Sequence, residues 1–457
     1  ADIQSNEKLT AKNVVAVKTN ANNGNVKLAT NGNANVTKAT ADTNVEITAN
    51  AGDVVADQLT ADAENNTIGD VYVDGRNTTL TNSKGANVTE IATGKAVAKD
   101  VTAKTGNVDI RALADTATTA EAENVTANAG NVTIQANDKV TAKNITATKS
   151  DETDGNIKVA SRNSDVEFTT ANAEKDIEVI ANNGAITAKS LKADSEENGI
   201  GDLKINGKSA SVTDSEGANV TAQGIDSLTL TNVTAHVGNI DGRSNGIVTA
   251  DTLKAVKTDD TNGNIYLGSK TKVDAKNGEA DTNITIASEG DAIADAMKAD
   301  FDNNGIGDLR ITGVNTTLTN SEGANVTESA SNNAVANNVT AKAGNALIEA
   351  TNTANADTVT ANAGDVTVKA NNAVVASNLT ATKSNEDNGN VFVTSSNGDA
   401  TLTTANAERN VEVRANNGTA TGSGLKADTE DNTNGDVIVR GKKAVVSDSE
   451  GANVTVR

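Results

Sequence analysis

The side chains best suited to chemistry in this sequence are carboxylates and carboxamides that recur in four short loops. Each loop places an oxygen-bearing side chain at its first, third, fifth and ninth positions. The sixteen residues are Asp62, Glu64, Asn66, Asp70, Asp194, Glu196, Asn198, Asp202, Asp300, Asp302, Asn304, Asp308, Asp428, Glu430, Asn432 and Asp436. A Ca²⁺ ion takes about six to eight oxygen ligands, which a loop that turns sharply at glycine can bring together. The pattern therefore predicts four calcium sites.

The spacing of the first oxygen ligands resembles the start of the EF-hand and dockerin calcium loops. Those loops carry a bidentate acidic residue at position 12, where this sequence has Val73 and its equivalents. The alternative is that the four segments, hereafter the acidic loops, are solvated turns copied by duplication. Retention of oxygen side chains at four positions in every copy favours calcium, and both interpretations stay open.

A second loop also recurs four times and has the composition of a tight turn. It begins at Lys18, Lys149, Lys257 and Lys383, and it ends in Asn-Gly-Asn or Asp-Gly-Asn. Asn-Gly and Asp-Gly pairs supply the positive φ angles that tight turns need. We therefore interpret these segments, hereafter the lysine loops, as turns between strands.

The inventory of reactive side chains argues against an enzyme. His236 is the only histidine, and the chain has no cysteine, so no site can use two imidazoles or a thiolate. A catalytic site also breaks repeat symmetry, because one coil must carry residues that the others lack. No cluster of polar residues is singular in this way, so we expect no catalytic residues.

Long repeats divide the chain into four units. The sequence Gly-Ala-Asn-Val-Thr begins at Gly85, Gly217, Gly323 and Gly451, and residues 148–221 are closely matched by residues 382–455, at an offset of 234. We expect units at 1–89, 90–221, 222–327 and 328–457, arranged as two tandem pairs in one continuous rod.

A shorter repeat of about 20 to 24 residues lies within these units, as in the matching Val-Thr-Ala triplets that begin at Val339 and Val359. Val, Ile and Thr alternate with polar residues in short runs between turn residues, and proline, which cannot donate to a strand ladder, is absent. Aromatic residues make up only 1% of the chain, so the core must be built from small aliphatic side chains. These features predict an all-β parallel β-solenoid.

Segments such as 125–134 and 359–368 resemble the repeats of the filamentous haemagglutinin family. That resemblance implies a right-handed parallel β-helix of this coil length, exported to the bacterial surface and used in adhesion.

Charge and repeat structure together limit the classes of function that fit this sequence. A net charge of −22 disfavours nucleic acid as a partner, and no apolar run is long enough to span a membrane. We expect an extracellular or cell-surface structural rod or fibre subunit that associates end to end and is stabilised by calcium. Three alternatives stay open: an adhesin shaft that contacts a host, a cell surface or a polysaccharide; an S-layer protein; and, less favoured, a polysaccharide-acting β-helix enzyme.

Overall fold

The computed structural model describes residues 1–18, 23–114, 118–151, 153–259, 261–385, 387–430 and 434–457. Within these ranges the chain forms 45 β-strands and no helix, and therefore no helix that could cross a membrane. The strands form a parallel β-solenoid of about 21 turns with about 20 residues per coil. The prediction of an all-β parallel solenoid is thus confirmed.

The chain consists of two compact units, Ala1–Ile225 and Asp226–Arg457. The strands of the first unit are β1 Asp2–Ser5, β2 Leu9–Ala11, β3 Val14–Ala16, β4 Val26–Thr30, β5 Ala34–Val36, β6 Ala39–Ala41, β7 Val45–Ala49, β8 Val54–Asp57, β9 Leu59–Thr60, β10 Val71–Gly75, β11 Thr78–Gly85, β12 Val88–Ala92, β13 Lys95–Ala103, β14 Val108–Ala112, β15 Thr119–Ala127, β16 Val132–Ala136, β17 Val140–Ala147, β18 Ile157–Ser161, β19 Val166–Phe168, β20 Ala171–Ala173, β21 Ile177–Lys189, β22 Leu191–Lys192 and β23 Leu203–Gly217. The next strand, β24 Val220–Ala235, contains the boundary.

The second unit repeats the same arrangement. Its further strands are β25 Ile240–Ser244, β26 Ile247–Ala255, β27 Ile265–Ser269, β28 Lys272–Ala280, β29 Ile284–Ser288, β30 Asp291–Lys298, β31 Leu309–Gly313, β32 Thr316–Gly323, β33 Val326–Ala330, β34 Asn333–Ala341, β35 Ala346–Ala350, β36 Thr353–Ala356, β37 Val359–Ala361, β38 Val366–Ala370, β39 Ala373–Ala381, β40 Val391–Ser395, β41 Ala400–Ala407, β42 Val411–Ser423, β43 Leu425–Lys426, β44 Asp436–Ser447 and β45 Asn453–Val456. The division into four units stays a prediction.

Parallel pairing stacks equivalent residues of successive coils directly above one another. In the first unit, one inward column runs Val71, Val88, Val108, Val132, Ile157, Ile177 and Leu203. Every member of the column is at most 1% exposed. The small aliphatic side chains expected from the composition therefore form a narrow continuous core, because each coil buries its apolar positions against its neighbours.

Left-handed residues let a strand turn a corner without losing its inward face. In β13, the alternation of buried and exposed residues is interrupted at Lys99 and Asp100, which are both exposed. Asp100 has a φ of 55°, a conformation that Asn and Asp adopt more readily than most residues. A typical coil thus has three strand segments, namely β12 and the two halves of β13, all of which face the same core.

Candidate functional site

One corner of the coil carries a column of asparagine and aspartate residues joined by hydrogen bonds, hereafter the corner ladder. In each step, the side-chain Oδ1 of one residue accepts a bond from the next coil. The backbone N–H of Asn131 donates to Oδ1 of Asn107 at 2.7 Å, and the backbone N–H of Asn156 donates to Oδ1 of Asn131 at 2.9 Å. The bonds satisfy turn amides that strand pairing does not reach.

Both units contain a corner ladder. In the first unit its members are Asn25, Asn44, Asp70, Asn87, Asn107, Asn131, Asn156, Asp176, Asp202 and Asn219. In the second unit its members are Asn239, Asn264, Asn283, Asp308, Asn325, Asn345, Asp365, Asn390, Asn410, Asp436 and Asn453. The ninth residue of every acidic loop is therefore a member of the ladder.

Both kinds of loop are inserted immediately before a member of the corner ladder. Successive members are 26 residues apart across the acidic loop that ends at Asp70, and 25 apart across the lysine loop that ends at Asn156. The coil after the same acidic loop is short, with 17 residues between Asp70 and Asn87. The acidic loops and the lysine loops thus emerge from one corner of the coil in each unit.

The first residue of each acidic loop is buried and holds the loop closed. Asp62, Asp194 and Asp300 are at most 1% exposed, and Asp428 is 8% exposed. All four have a left-handed φ between 50° and 56°. Oδ1 of Asp62 accepts a bond from the backbone N–H of Asn66 at 2.7 Å, and Oδ1 of Asp194 accepts the equivalent bond from Asn198. Oδ1 of Asp300 accepts a bond from the N–H of the next loop residue, Gly305. These carboxylates therefore cap the turn that follows them.

The third and fifth residues contact each other in the first three loops. Nδ2 of Asn198 donates to Glu196 at 3.1 Å, while Oδ1 of Asn198 accepts from the backbone N–H of Ile200 at 3.0 Å. The first and third loops repeat both bonds through Asn66 and Asn304. The predicted ligand Asn432 lies outside the described residues.

A lysine ammonium lies against the first residue in two of the loops. Nζ of Lys104, which follows Asp62 by 42 residues, donates to the backbone oxygen of Asp62 and to Oδ1 of Asn65 at 2.8 Å. The same atom lies 3.0 Å from Oδ2 of Asp62. Lys342 makes the equivalent bonds to Asp300 and Asn303. In the first and third loops, a cation supplied by the chain therefore already contacts oxygens that a metal ion would need.

The third residue is paired with a lysine of the second recurring motif. The distances are 2.9 Å from Lys149 to Glu196, 2.9 Å from Lys257 to Asp302 and 2.7 Å from Lys383 to Glu430. The lysine side chains are only 16% to 20% exposed. The residue that opens each of these lysine loops thus bridges to the acidic loop that follows it along the chain.

The glycine at the eighth position is required by a close approach of backbone. Gly69 has a φ of 150°, and a Cβ added to it would lie 2.5 Å from the backbone oxygen of Thr43 and 2.6 Å from the backbone nitrogen of Asp62. The glycines at 201, 307 and 435 have equally close backbone neighbours. This position therefore fixes the path of the loop over the coil beneath it.

The four oxygen positions of an acidic loop thus have four different kinds of partner. The first binds loop amides and the ninth binds the next member of the corner ladder. The third binds a lysine in the second, third and fourth loops, and the fifth accepts from a backbone N–H in the first three loops. Sequence reasoning identified these oxygens but missed Lys104 and Lys342. Both occur in the repeated sequence Val-Thr-Ala-Lys at the same distance after their loops, which is the signal that could have revealed them. Calcium binding by the acidic loops stays a prediction.

Comparison with protein families, with curated proteins and with solved structures gives no match to this chain. Its function therefore has to be inferred from its own fold and contacts.

Proposed function

We propose that this chain is a non-catalytic structural rod that works outside the cell, as a subunit of a fibre or a surface layer. The observation that carries the proposal is the corner ladder, in which the polar turn residues of each unit bond to the next coil. Polar groups used in this way stiffen a repeat protein along its axis, because each coil is held only by its neighbours. The stacked apolar side chains of the core also join each coil to its neighbours and therefore add to this stiffness.

The absence of catalysis is part of the proposal. The most developed polar clusters, the acidic loops, recur in equivalent form, and their carboxylates are paired with lysines and amides. Catalysis needs a polar group whose partner is the substrate, and such a group stands out from the repeat. Repetition and internal pairing both fit a structural role better.

End-to-end association is the assembly that we propose. A coil without a neighbour presents a row of unpaired strand N–H and C=O groups, and such an edge pairs readily with another chain. The corner ladder favours the same geometry, because each rung accepts a bond from the following coil. An added chain that continues the column therefore extends both the sheets and the ladder.

Calcium is proposed to act at the acidic loops as a stabiliser of this assembly. In the first and third loops it would compete with the ammonium groups of Lys104 and Lys342, which already contact the oxygens of Asp62 and Asp300. We therefore expect calcium to bind these two loops weakly. A bound ion would stabilise the folded chain in proportion to its occupancy.

Electron microscopy and sedimentation velocity of the purified chain test the proposal, in millimolar calcium and in excess chelator. We expect fibres whose length grows with protein concentration in calcium and shortens in chelator. Isolated particles at every concentration would contradict the fibre subunit and favour an adhesin shaft. Fibres of equal length in both solutions would contradict only the role of calcium.

A variant that neutralises the third position of every acidic loop provides the matched control. It carries the substitutions Glu64→Gln, Glu196→Gln, Asp302→Asn and Glu430→Gln. Fibres of this variant should no longer respond to calcium. An unchanged response would place the calcium effect outside the acidic loops.

A further inference from the structure

In the described part of each unit, one glutamate side chain points into the apolar core. Glu90 lies on β12 and Glu328 on β33, and both are 0% exposed. Glu90 is stacked between Val73 and Ile110 of the neighbouring coils. Glu328 is stacked in the same way between isoleucines 311 and 348. A carboxyl group thus occupies a position that branched aliphatic side chains hold in the adjacent coils.

Hydrogen bonding to these carboxyls is incomplete. Oε1 of Glu90 accepts a bond from the backbone N–H of Val97 at 3.3 Å, and Glu328 accepts an equivalent bond from Val335. Oε2 of Glu90 and the buried hydroxyl of Thr78 have no hydrogen-bond partner among the described residues. An ionised carboxylate with one free oxygen is costly in an apolar interior, whereas a carboxylic acid offers its own O–H as a donor.

No charged side chain compensates Glu90 from the strands around it. The inward residues of the neighbouring strands β10, β11, β13 and β14 are aliphatic, apart from glycines, Thr78 and Ser83. The titratable side chains on these strands occupy positions that are not buried: Tyr72, Asp74, Lys84, Lys95, Lys99, Asp100, Asp109 and Arg111. Around Glu328 the corresponding groups are Arg310, Glu322 and Glu349.

We propose that Glu90 and Glu328 are held as uncharged carboxylic acids in the core, and that their ionisation at higher pH loosens the coils that carry them. Burial raises the pKa of both carboxyls from 4.5 to about 7. The same glutamate, threonine and N–H donor recur in both units. The chain thus carries two copies of one pH-sensitive element.

The direction of the effect follows from proton binding. Between pH 4.5 and about 7 the opened coil, with an ordinary carboxyl pKa, releases its proton while the closed coil keeps it. The closed state therefore loses stability as pH rises through this range. Above about pH 7 its stability changes little with pH. The two pKa values predict that the opening equilibrium of each coil increases about 70-fold between pH 5 and pH 8.

Hydrogen exchange of the full chain at pH 5 and pH 8, corrected for the intrinsic rate, measures this opening. In the natural sequence, we expect the amides of β12 and β33 to lose about 70-fold in protection at the higher pH. In Glu90→Gln, which mimics the neutral acid at every pH, β12 should lose this dependence while β33 retains it. An unchanged dependence in β12 of the variant would overturn the proposal.

Infrared spectroscopy provides a second measurement that does not require a variant. At pH 6 the exposed carboxylates of this acidic chain are ionised, so a carbonyl band from a protonated carboxylic acid would report buried groups. We expect such a band at pH 6 and its loss by pH 8. Absence of the band at pH 6 would contradict the proposal even if Glu90→Gln failed to fold.

Discussion

Replacing Lys104 with methionine removes an ammonium group from the first acidic loop and keeps most of the apolar stem. In the natural sequence, this group contacts the backbone oxygen and the carboxylate of Asp62 and the side chain of Asn65. The Asp62 side chain is only 1% exposed, so water cannot replace the lost partner without movement of the loop. The substitution therefore leaves a buried carboxylate with amide donors alone.

The expected cost is about 2 kcal/mol. Removing one partner from a fully buried ion pair costs about 3 to 5 kcal/mol. Two features reduce that figure here: the Lys104 side chain is 19% exposed, and Asp62 retains its 2.7 Å bond from the N–H of Asn66. A hydrogen bond to a charged group contributes about 1.5 to 3 kcal/mol, which brackets the same value.

Hydrogen exchange at the amides of Asn65 and Asn66 reports this change locally. Both amides bond to Asp62, at 3.0 Å and 2.7 Å, so opening of the loop exposes both. A loss of about 2 kcal/mol corresponds to an approximately 30-fold loss of protection. The matched control is Lys99→Met, because Lys99 pairs with Glu123 at 3.6 Å with both side chains about half exposed. Such surface pairs contribute about 1 kcal/mol or less.

Two results would refute the reasoning. The first is equal protection of the Asn65 and Asn66 amides in Lys104→Met and in the natural sequence. The second is a double-mutant cycle with Asp62→Asn in which the two substitutions are additive, because contacting charges must show an interaction energy. Calcium titration of Lys104→Met extends the experiment: tighter calcium binding than in the natural chain would show that the ammonium occupies a competent cation site.

Three further substitutions test the contacts that hold the coils together. Asn131→Ala should destabilise the chain by about 1 to 2 kcal/mol in urea unfolding, because two bonds from Asn156 are lost, while Asn131→Asp, which keeps the acceptor, should be nearly neutral. Equal effects of both would argue against the ladder. Ile134→Ala should cost about 3 kcal/mol by the same measurement, since the side chain is 0% exposed; a change under 1 kcal/mol would mean that the core relaxes around the cavity. Gly69→Ala should increase proteolysis of the first acidic loop, because its Cβ would meet the backbone oxygen of Thr43; unchanged cleavage would contradict the proposed constraint.

The fold could be predicted from the sequence because its determinants are local and repeated. A run such as Val108-Asp-Ile-Arg-Ala alternates with the period of a strand, and its equivalents return after about 20 to 24 residues. The stacking of turn asparagines follows from the same repeat. The inward position of Glu90 could also be predicted from strand alternation, because Val88 and Ala92, two residues before and after it, face the core.

The partners of the acidic loops could not be predicted in the same way. Lys104 contacts Asp62 across 42 residues, and this contact depends on how many coils separate them and on which corner each occupies. Coil lengths between members of the ladder vary from 17 to 26 residues, so sequence distance alone does not give that geometry. The sequence also gave no reason to expect that Asp62 is buried, because an acidic residue in a turn usually lies in solvent.

The variable coil length has a consequence for how such a chain can change over time. The extra residues of the acidic loop at 62–70 enter at one corner, before a member of the ladder, and the strand register continues on both sides of this loop. Growth or shrinkage of that turn by mutation therefore alters the exterior of one coil and leaves the stacking of the others intact. A scaffold of this kind can acquire, lose or exchange surface segments independently, coil by coil, without being redesigned as a whole.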